Sequence, residues 1–170
     1  MEFKKDELMV QAMDVEVAFG DNTILEHISF EVKRGEIFVI LGGSGCGKTA
    51  LLKHIIGLYT PASGDIRICG ESMVGATPDQ RLELTRKFGV LYQFGALFGS
   101  LTLSQNVALP LEEHTTLSTS MIATLARLKL GSVGLAGFET YLPDSVSGGM
   151  KKRAGLARAM ALDPEILFLD

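Results

Sequence analysis

The sequence predicts a mixed α/β fold: a small antiparallel sheet, then a parallel sheet, with helices inserted between the parallel strands. Three observations carry this. Apolar residues alternate through Met9 to Phe19 and His27 to Val32, the pattern of half-buried antiparallel strands. A continuous apolar run, Ile37 to Leu41, leads through a glycine-rich loop into a helix. Two helical stretches then precede a second apolar run, Ile166 to Leu169.

Taken in order, Gly20-Asp21-Asn22 supplies turn chemistry between the first two strands, and Lys33 to Glu36 supplies the next turn. Ile37 to Leu41 is then expected as a strand buried on both faces. A helix follows from about Lys48 to Ile56, stopped by Gly57, and Thr60 to Gly64 turns the chain into a short strand at Asp65 to Cys69. Asp79 to Lys87 reads as helix and Phe88 to Tyr92 as strand, and Gln93 opens a loop containing Gly95 and Gly99. The clearest later helix starts at a Ser118 cap, and Met121, Ile122, Leu125 and Leu128 are expected to form its buried face. Glycines at 131, 134 and 137 separate it from a helix that starts at Ser147-Gly148-Gly149 and reaches about Ala161. Asp163-Pro164 breaks that helix before the strand Ile166 to Leu169, and Asp170 follows.

At 170 residues with 46% hydrophobic composition, the chain can bury one sizeable core as one domain. Sixteen basic residues against 20 acidic ones give a net charge of -4, without the cationic field of a nucleic-acid binder. Two cysteines, Cys46 and Cys69, are too few for a disulfide scaffold, and the opening MEFKKDELMV is charged where a signal peptide would be apolar. No window approaches the roughly eighteen apolar residues of a membrane helix. These features predict a reduced, cytoplasmic chain whose membrane contact comes through a partner.

Gly42-Gly43-Ser44-Gly45-Cys46-Gly47-Lys48-Thr49 matches G-x-x-x-x-G-K-[ST] between a predicted strand and a predicted helix, the context this phosphate-binding loop requires. Glycines let successive N–H groups point inward, and the helix N-terminus adds roughly half a positive charge, so polyphosphate is the natural guest. Lys48 brings a full charge to the β and γ phosphates, and Thr49 offers a hydroxyl to a bridging Mg²⁺. This loop alone leaves kinases, GTPases and motor-like ATPases open. Ser147-Gly148-Gly149 is a second bare helix start, though standing alone it reads as an ordinary cap.

The run Leu142 to Met160 (LPDSVSGGMKKRAGLARAM), followed by Ile166 to Asp170, resembles the signature helix and Walker B strand of the ABC ATPases. With Lys48 and Gln93 in order, the resemblance spans nearly the whole chain. It implies a P-loop NTPase core with an N-terminal antiparallel β subdomain and an inserted helical subdomain. It also implies a head-to-tail dimer in which Ser147, Gly148, Gly149 and Met150 of one copy cap the ATP held by the other's loop. Phe19 matches the aromatic that stacks on adenine, Gln93 the glutamine that reaches Mg²⁺ and the attacking water, and Asp170 the Walker B aspartate that holds the metal through water. Lys48, Gln93 and Asp170 are thus the implied catalytic set, with Thr49, Gln93 and Asp170 at the metal.

Two departures stand out: Met150 replaces the usual signature glutamine, and Ala50 follows the GK[ST] step where relatives carry a hydroxyl, at the cost of one α-phosphate contact. Met150, GGMKKRAGLARA and the stretch Gly89 to Phe98 resemble the Mla and Mkl group, which energises movement of phospholipids or other hydrophobic compounds between bacterial membranes. The implied partners are a second ABC ATPase subunit and an integral membrane permease, holding the chain at the inner face of the cytoplasmic membrane. Phe94, Ala96, Leu97 and Phe98 are expected to line the groove for a permease helix. Lys151, Lys152 and Arg153 read as a solvated helix face.

Three segments follow from the resemblance: a nucleotide-binding core with its β subdomain at 8–92, the glutamine loop and helical subdomain at 93–150, and the signature helix into Walker B at 151–170. The family's catalytic glutamate, D-loop and switch histidine would lie beyond Asp170, so these residues alone are expected to bind Mg-ATP and turn it over slowly. A soluble ABC ATPase of translation or repair is the rival reading. Only about a hundred residues separate Lys48 from Ser147, which leaves no room for the repair type's long coiled coil. A nucleotide-binding module without turnover is the third reading.

Overall fold

A computed structural model describes residues 7–20, 22–93 and 95–170. Its contacts divide into two compact units between Thr85 and Arg86.

In the first unit, β1 (Leu8–Phe19) pairs antiparallel with β2 (Asn22–Lys33), as the alternation predicts. Gly20 and Asn22 flank the expected turn, whose Asp21 lies outside the described residues. The alternation in β1 shifts phase: Val10 and Ala12 are buried, then Val15 and Val17. A bulge absorbs the extra residue at Met13-Asp14, where Asp14 takes φ 50°. That shift puts Phe19 on the same face as Val15 and Val17, at the strand's end. The bulge also brings β3 close, because a Cβ on Gly64 would stand 2.4 Å from the Asp14 carbonyl oxygen.

Helix α1 (Lys48–Ile55) buries Leu51, His54 and Ile55. Its end is closed by hydrogen bonds from Gly57 N to His54 O and from Leu58 N to Lys53 O, the Schellman pattern. Strand β3 (Ser63–Ile68) pairs with the other edge of β1, and β4 (Glu71–Ser72) completes a four-stranded sheet in the order β2-β1-β3-β4. Helix α2 (Pro78–Thr85) is tied to the turns beneath it by Arg81, which donates to the carbonyls of Gly57 and Met73.

Residues 37–41 correct one expectation. They form no strand, and Ile37 and Leu41 are 91% and 86% exposed. The apolar run expresses a preference for burial, but a two-faced parallel strand needs a hydrogen-bonding partner on each edge. The sheet of this unit consists of β1 to β4 and offers residues 37–41 no place.

In the second unit, β5 (Phe88–Leu91) pairs parallel with β6 (Ile166–Leu169), Phe88 opposite Ile166 and Leu91 opposite Leu169. Between them lie α3 (Leu103–His114), α4 (Thr119–Ser132) and α5 (Gly148–Ala159). Leu103, Val107, Leu111, Ile122, Ala126, Leu130, Leu135, Ala154 and Ala157 form their shared core. Helix α3 opens with a capping box between Thr102 and Gln105. One turn in, fully buried Asn106 donates to the carbonyls of Phe98, Leu101 and Thr102 and accepts from Phe98 N.

Helix α4 starts at the predicted Ser118 cap, which accepts from Met121 N, but its inner face differs from the expected one. Ile122, Ala126 and Leu130 point inward, whereas Met121 and Leu128 are 56% and 61% exposed. Two apolar stripes at helical spacing lie side by side here. Packing against α3 and α5 selects the one whose small central residue, Ala126, lets the helices approach.

Candidate functional site

The first unit carries the phosphate-loop residues and Phe19. Gly42 to Cys46 are exposed, and α1 begins at Lys48 behind them. Gly47 sits at the helix N-cap with φ 94° and no capping side chain. A Cβ there would stand 2.9 Å from Ile24 Cγ2 and 3.1 Å from Leu25 Cγ, so only glycine satisfies both the turn and its seat on β2. The helix start is therefore bare in that its N-cap residue offers no capping side chain.

The Lys48 side chain folds back over the loop. Its Nζ donates to Gly42 O at 2.8 Å and Gly43 O at 2.7 Å, and lies 3.5 Å from Cys46 Sγ. Three ammonium contacts, two to carbonyls and a longer one to the thiol, thus hold the loop closed around the charge. Glycine backbone, bare helix start and centred ammonium make a donor set for a polyanion. Thr49 is exposed on the first turn, and a hydroxyl next to such a polyanion suits a hard divalent cation, which takes oxygen ligands. The donor set thus fits Mg²⁺ bound together with polyphosphate.

Phe19 is 47% exposed and belongs to an aromatic trio that the sequence reading did not assemble. It meets Tyr59 edge-to-face at 5.6 Å and His54 at 5.9 Å, while His54 and Tyr59 are themselves 5.6 Å apart. Buried His54 directs Nδ1 to Ala50 O at 2.8 Å, so Nδ1 carries the donated proton. Helix α1 thereby carries Lys48 at its first turn and, at its last, the ring that props Phe19. The available signal was the apolar face of α1, on which His54 lies three residues after Leu51.

The second unit places Gln93 and Asp170 at the same edge of its two-stranded sheet. Both follow parallel strands that run in register, and Asp170 N donates to Leu91 O at 2.9 Å. Both side chains are exposed at the C-terminal edge of the sheet, where open parallel sheets bind ligands. Burial pushes the Tyr92 phenol up; Arg158 opposes that rise and Asp170 adds to it.

Ser147 is the N-cap of α5, accepting from Met150 N at 3.3 Å. A Cβ at Gly148 or Gly149 would meet nothing within 4 Å, so this helix start is open to solvent. Met150 packs against the helical core. Of the three charges expected to be solvated, Lys152 and Arg153 are exposed, and Lys151 pairs with the exposed Asp144 at 3.1 Å. Arg153 donates to the carbonyls of Val133 and Gly134, which ties α5 to the end of α4. In the loop after Gln93, Leu97 packs against the helical core while Ala96 and Phe98 are exposed; Phe94 lies outside the described residues.

The ABC transporter family profile matches residues 25–170. The probable ribonucleotide transport ATP-binding protein mkl of Mycobacterium leprae is 46% identical over 153 residues, covering 90% of this chain and 44% of its own length. The intermembrane phospholipid transport system ATP-binding protein MlaF of Escherichia coli is 39% identical over 162 residues, covering 95% of this chain and 60% of its own. The chain thus spans less than two thirds of these relatives. Among solved structures, the ATP-binding cassette MJ0796, in a dimeric post-hydrolysis state bound to ADP and Pi, superimposes with a TM-score of 0.87. It is 29% identical and covers 95% of this chain and 73% of its own.

Proposed function

The chain belongs to the ABC transporter family, and from that premise we propose that it is the ATP-binding, energy-coupling part of a transporter that moves phospholipid or another hydrophobic compound across or between bacterial membranes. The observation that carries the proposal is the phosphate loop, closed on Lys48 at the bare start of α1.

In this reading the backbone N–H groups of Gly42 to Lys48 hold the phosphates, and Lys48 neutralises the charge that grows on the γ-phosphoryl oxygens as water attacks. Thr49 in the first unit and Gln93 and Asp170 in the second are the oxygen donors expected for Mg²⁺, whose charge would make ADP a better leaving group. Gln93 also orients the attacking water, and phosphoryl transfer depends on such positioning more than on covalent chemistry. Phe19 stacks on the base. Ser147, Gly148 and Gly149 act on the nucleotide of a second copy, which makes the working unit a dimer; the dimeric cassette MJ0796 supports this.

The phospholipid cargo follows the name of MlaF, whereas the mkl relative is named for ribonucleotide transport. The exposed Phe98 and the loop after Gln93 favour docking to a membrane subunit, and no described helix is long and apolar enough to cross a membrane itself. Docking would hold the chain at the cytoplasmic membrane's inner face.

Calorimetry with ATP and Mg²⁺ tests the central claim. Lys48→Ala removes the one full positive charge in the loop, so its titration should show no binding where the parent's does. Equal affinity in parent and variant would overturn the phosphate-loop assignment.

A further inference from the structure

One well-anchored side chain has no part in the reading above. Arg158, in the last turn of α5, is half-buried and reaches the loop that follows Gln93. Its Nη1 donates to Ala96 O at 2.9 Å and its Nη2 to Gly95 O at 3.0 Å, and its guanidinium lies 6.0 Å from the centre of the Phe98 ring. The two carbonyls belong to consecutive residues in the left-handed region, Gly95 at φ 76° and Ala96 at φ 45°. An alanine there is strained and keeps that conformation only where its surroundings hold it.

The surroundings are backbone. A Cβ on Gly95 would stand 2.9 Å from Lys151 O, so the loop lies directly on α5 with no side chain between them. The planar fork of an arginine can grip two adjacent carbonyls at once, which a lysine cannot. Burial pushes the guanidinium down from its usual value, and Tyr92 opposes that.

We propose that Arg158 is the positioning residue of the glutamine loop: it holds the Gly95-Ala96 turn in its left-handed form, fixes Gln93 two residues upstream, and makes the loop and α5 one rigid piece. A displacement of Ser147 at the start of α5 is then transmitted to Gln93 through backbone contact and two charge-assisted hydrogen bonds. The inference rests on the reading of Gln93 and Ser147 as nucleotide-site residues.

The test uses the intact ATP-binding subunit in its transporter, with Arg158→Met, Arg158→Lys, Gln93→Ala and the Arg158→Met, Gln93→Ala double variant. Arg158→Met keeps the stem and removes the fork. Its kcat for ATP hydrolysis should fall about tenfold, the scale of one charge-assisted hydrogen bond, with ATP affinity within about twofold of the parent. The double variant should be no slower than the slower single variant, because both changes disable one positioned group. Amide exchange at Gly95 to Leu97 should accelerate about tenfold while the α5 amides stay protected. Arg158→Lys, which keeps charge and stem but reaches one carbonyl, should recover part of both effects.

Unchanged kcat and loop exchange in Arg158→Met would overturn the proposal, as would rate losses that multiply in the double variant. Loss of protection along all of α5 in both Arg158 variants would also overturn it, since Arg158 would then serve only helix stability. If Gln93→Ala leaves kcat intact, the reading of Gln93 has failed instead, and loop exchange in Arg158→Met and Arg158→Lys still decides the clamp.

Discussion

Gly155 of α5 and Gly95 after β5 meet backbone to backbone: a Cβ on Gly155 would stand 2.9 Å from the Gly95 Cα and 3.0 Å from its carbonyl oxygen. Neither atom can swing aside as the tip of a side chain could. Gly155→Ala should therefore destabilise the fold by about 1–3 kcal/mol through overpacking, despite the better helix propensity of alanine. Gly131→Ala in α4 meets nothing within 4 Å and should stabilise by about 0.5–1 kcal/mol. Urea unfolding of the two variants beside the parent measures both signs. A stabilising Gly155→Ala would show that the loop does not rest on the helix.

Phe19 offers its ring half-exposed while Tyr59 and His54 support it. Phe19→Ala should weaken ATP binding by about 1 kcal/mol, roughly fivefold, and leave bare triphosphate unaffected, because triphosphate has no base to stack. Tyr59→Ala should lose part of the same energy by removing the prop. Equal losses for ATP and triphosphate would make Phe19 purely structural.

Cys46 is exposed inside the proposed phosphate loop, 3.5 Å from the Lys48 ammonium. A maleimide should label it in the free protein, and saturating Mg-ATP should slow the labelling by covering the loop. Mass spectrometry separates Cys46 from Cys69 as an internal reference. Identical Cys46 labelling with and without nucleotide would contradict the assigned site.

Asp65 should make the stability of the β3-β4 hairpin depend on pH. Burial raises its carboxyl, but hydrogen bonds from Ser72 Oγ at 2.6 Å and Arg67 Nε at 3.0 Å outweigh that and set it below the usual 3.8. The folded value is depressed, so this stabilisation is fully present above the unfolded value and is lost as pH falls through the folded one. Ser72→Ala should cost about 1 kcal/mol near neutral pH, and the gap to the parent should close in acid. Thermal unfolding at pH 7 and pH 3 checks this; a pH-independent difference would assign the loss to packing.

Local chemistry was legible in the sequence because it depends on neighbours along the chain. The G-x-x-x-x-G-K-[ST] spacing sets a glycine turn before a helix, the Ser118 and Ser147 caps sit where a hydroxyl accepts from the third residue on, and alternation marks β1 and β2. The family was equally legible, since its motifs are contiguous.

Tertiary structure alone decided which of two apolar stripes on α4 faces inward, because both satisfy helical spacing and only the neighbouring helices discriminate. It also decided that residues 37–41 form no strand, because a strand depends on hydrogen bonds from other segments and hydrophobicity cannot supply them. The grip of Arg158 on Gly95 and Ala96 joins positions more than sixty residues apart, and the support of Phe19 by His54 and Tyr59 spans a strand and a helix. No periodicity encodes such contacts. They exist only once the backbones have packed closely enough for a guanidinium or a ring edge to reach across.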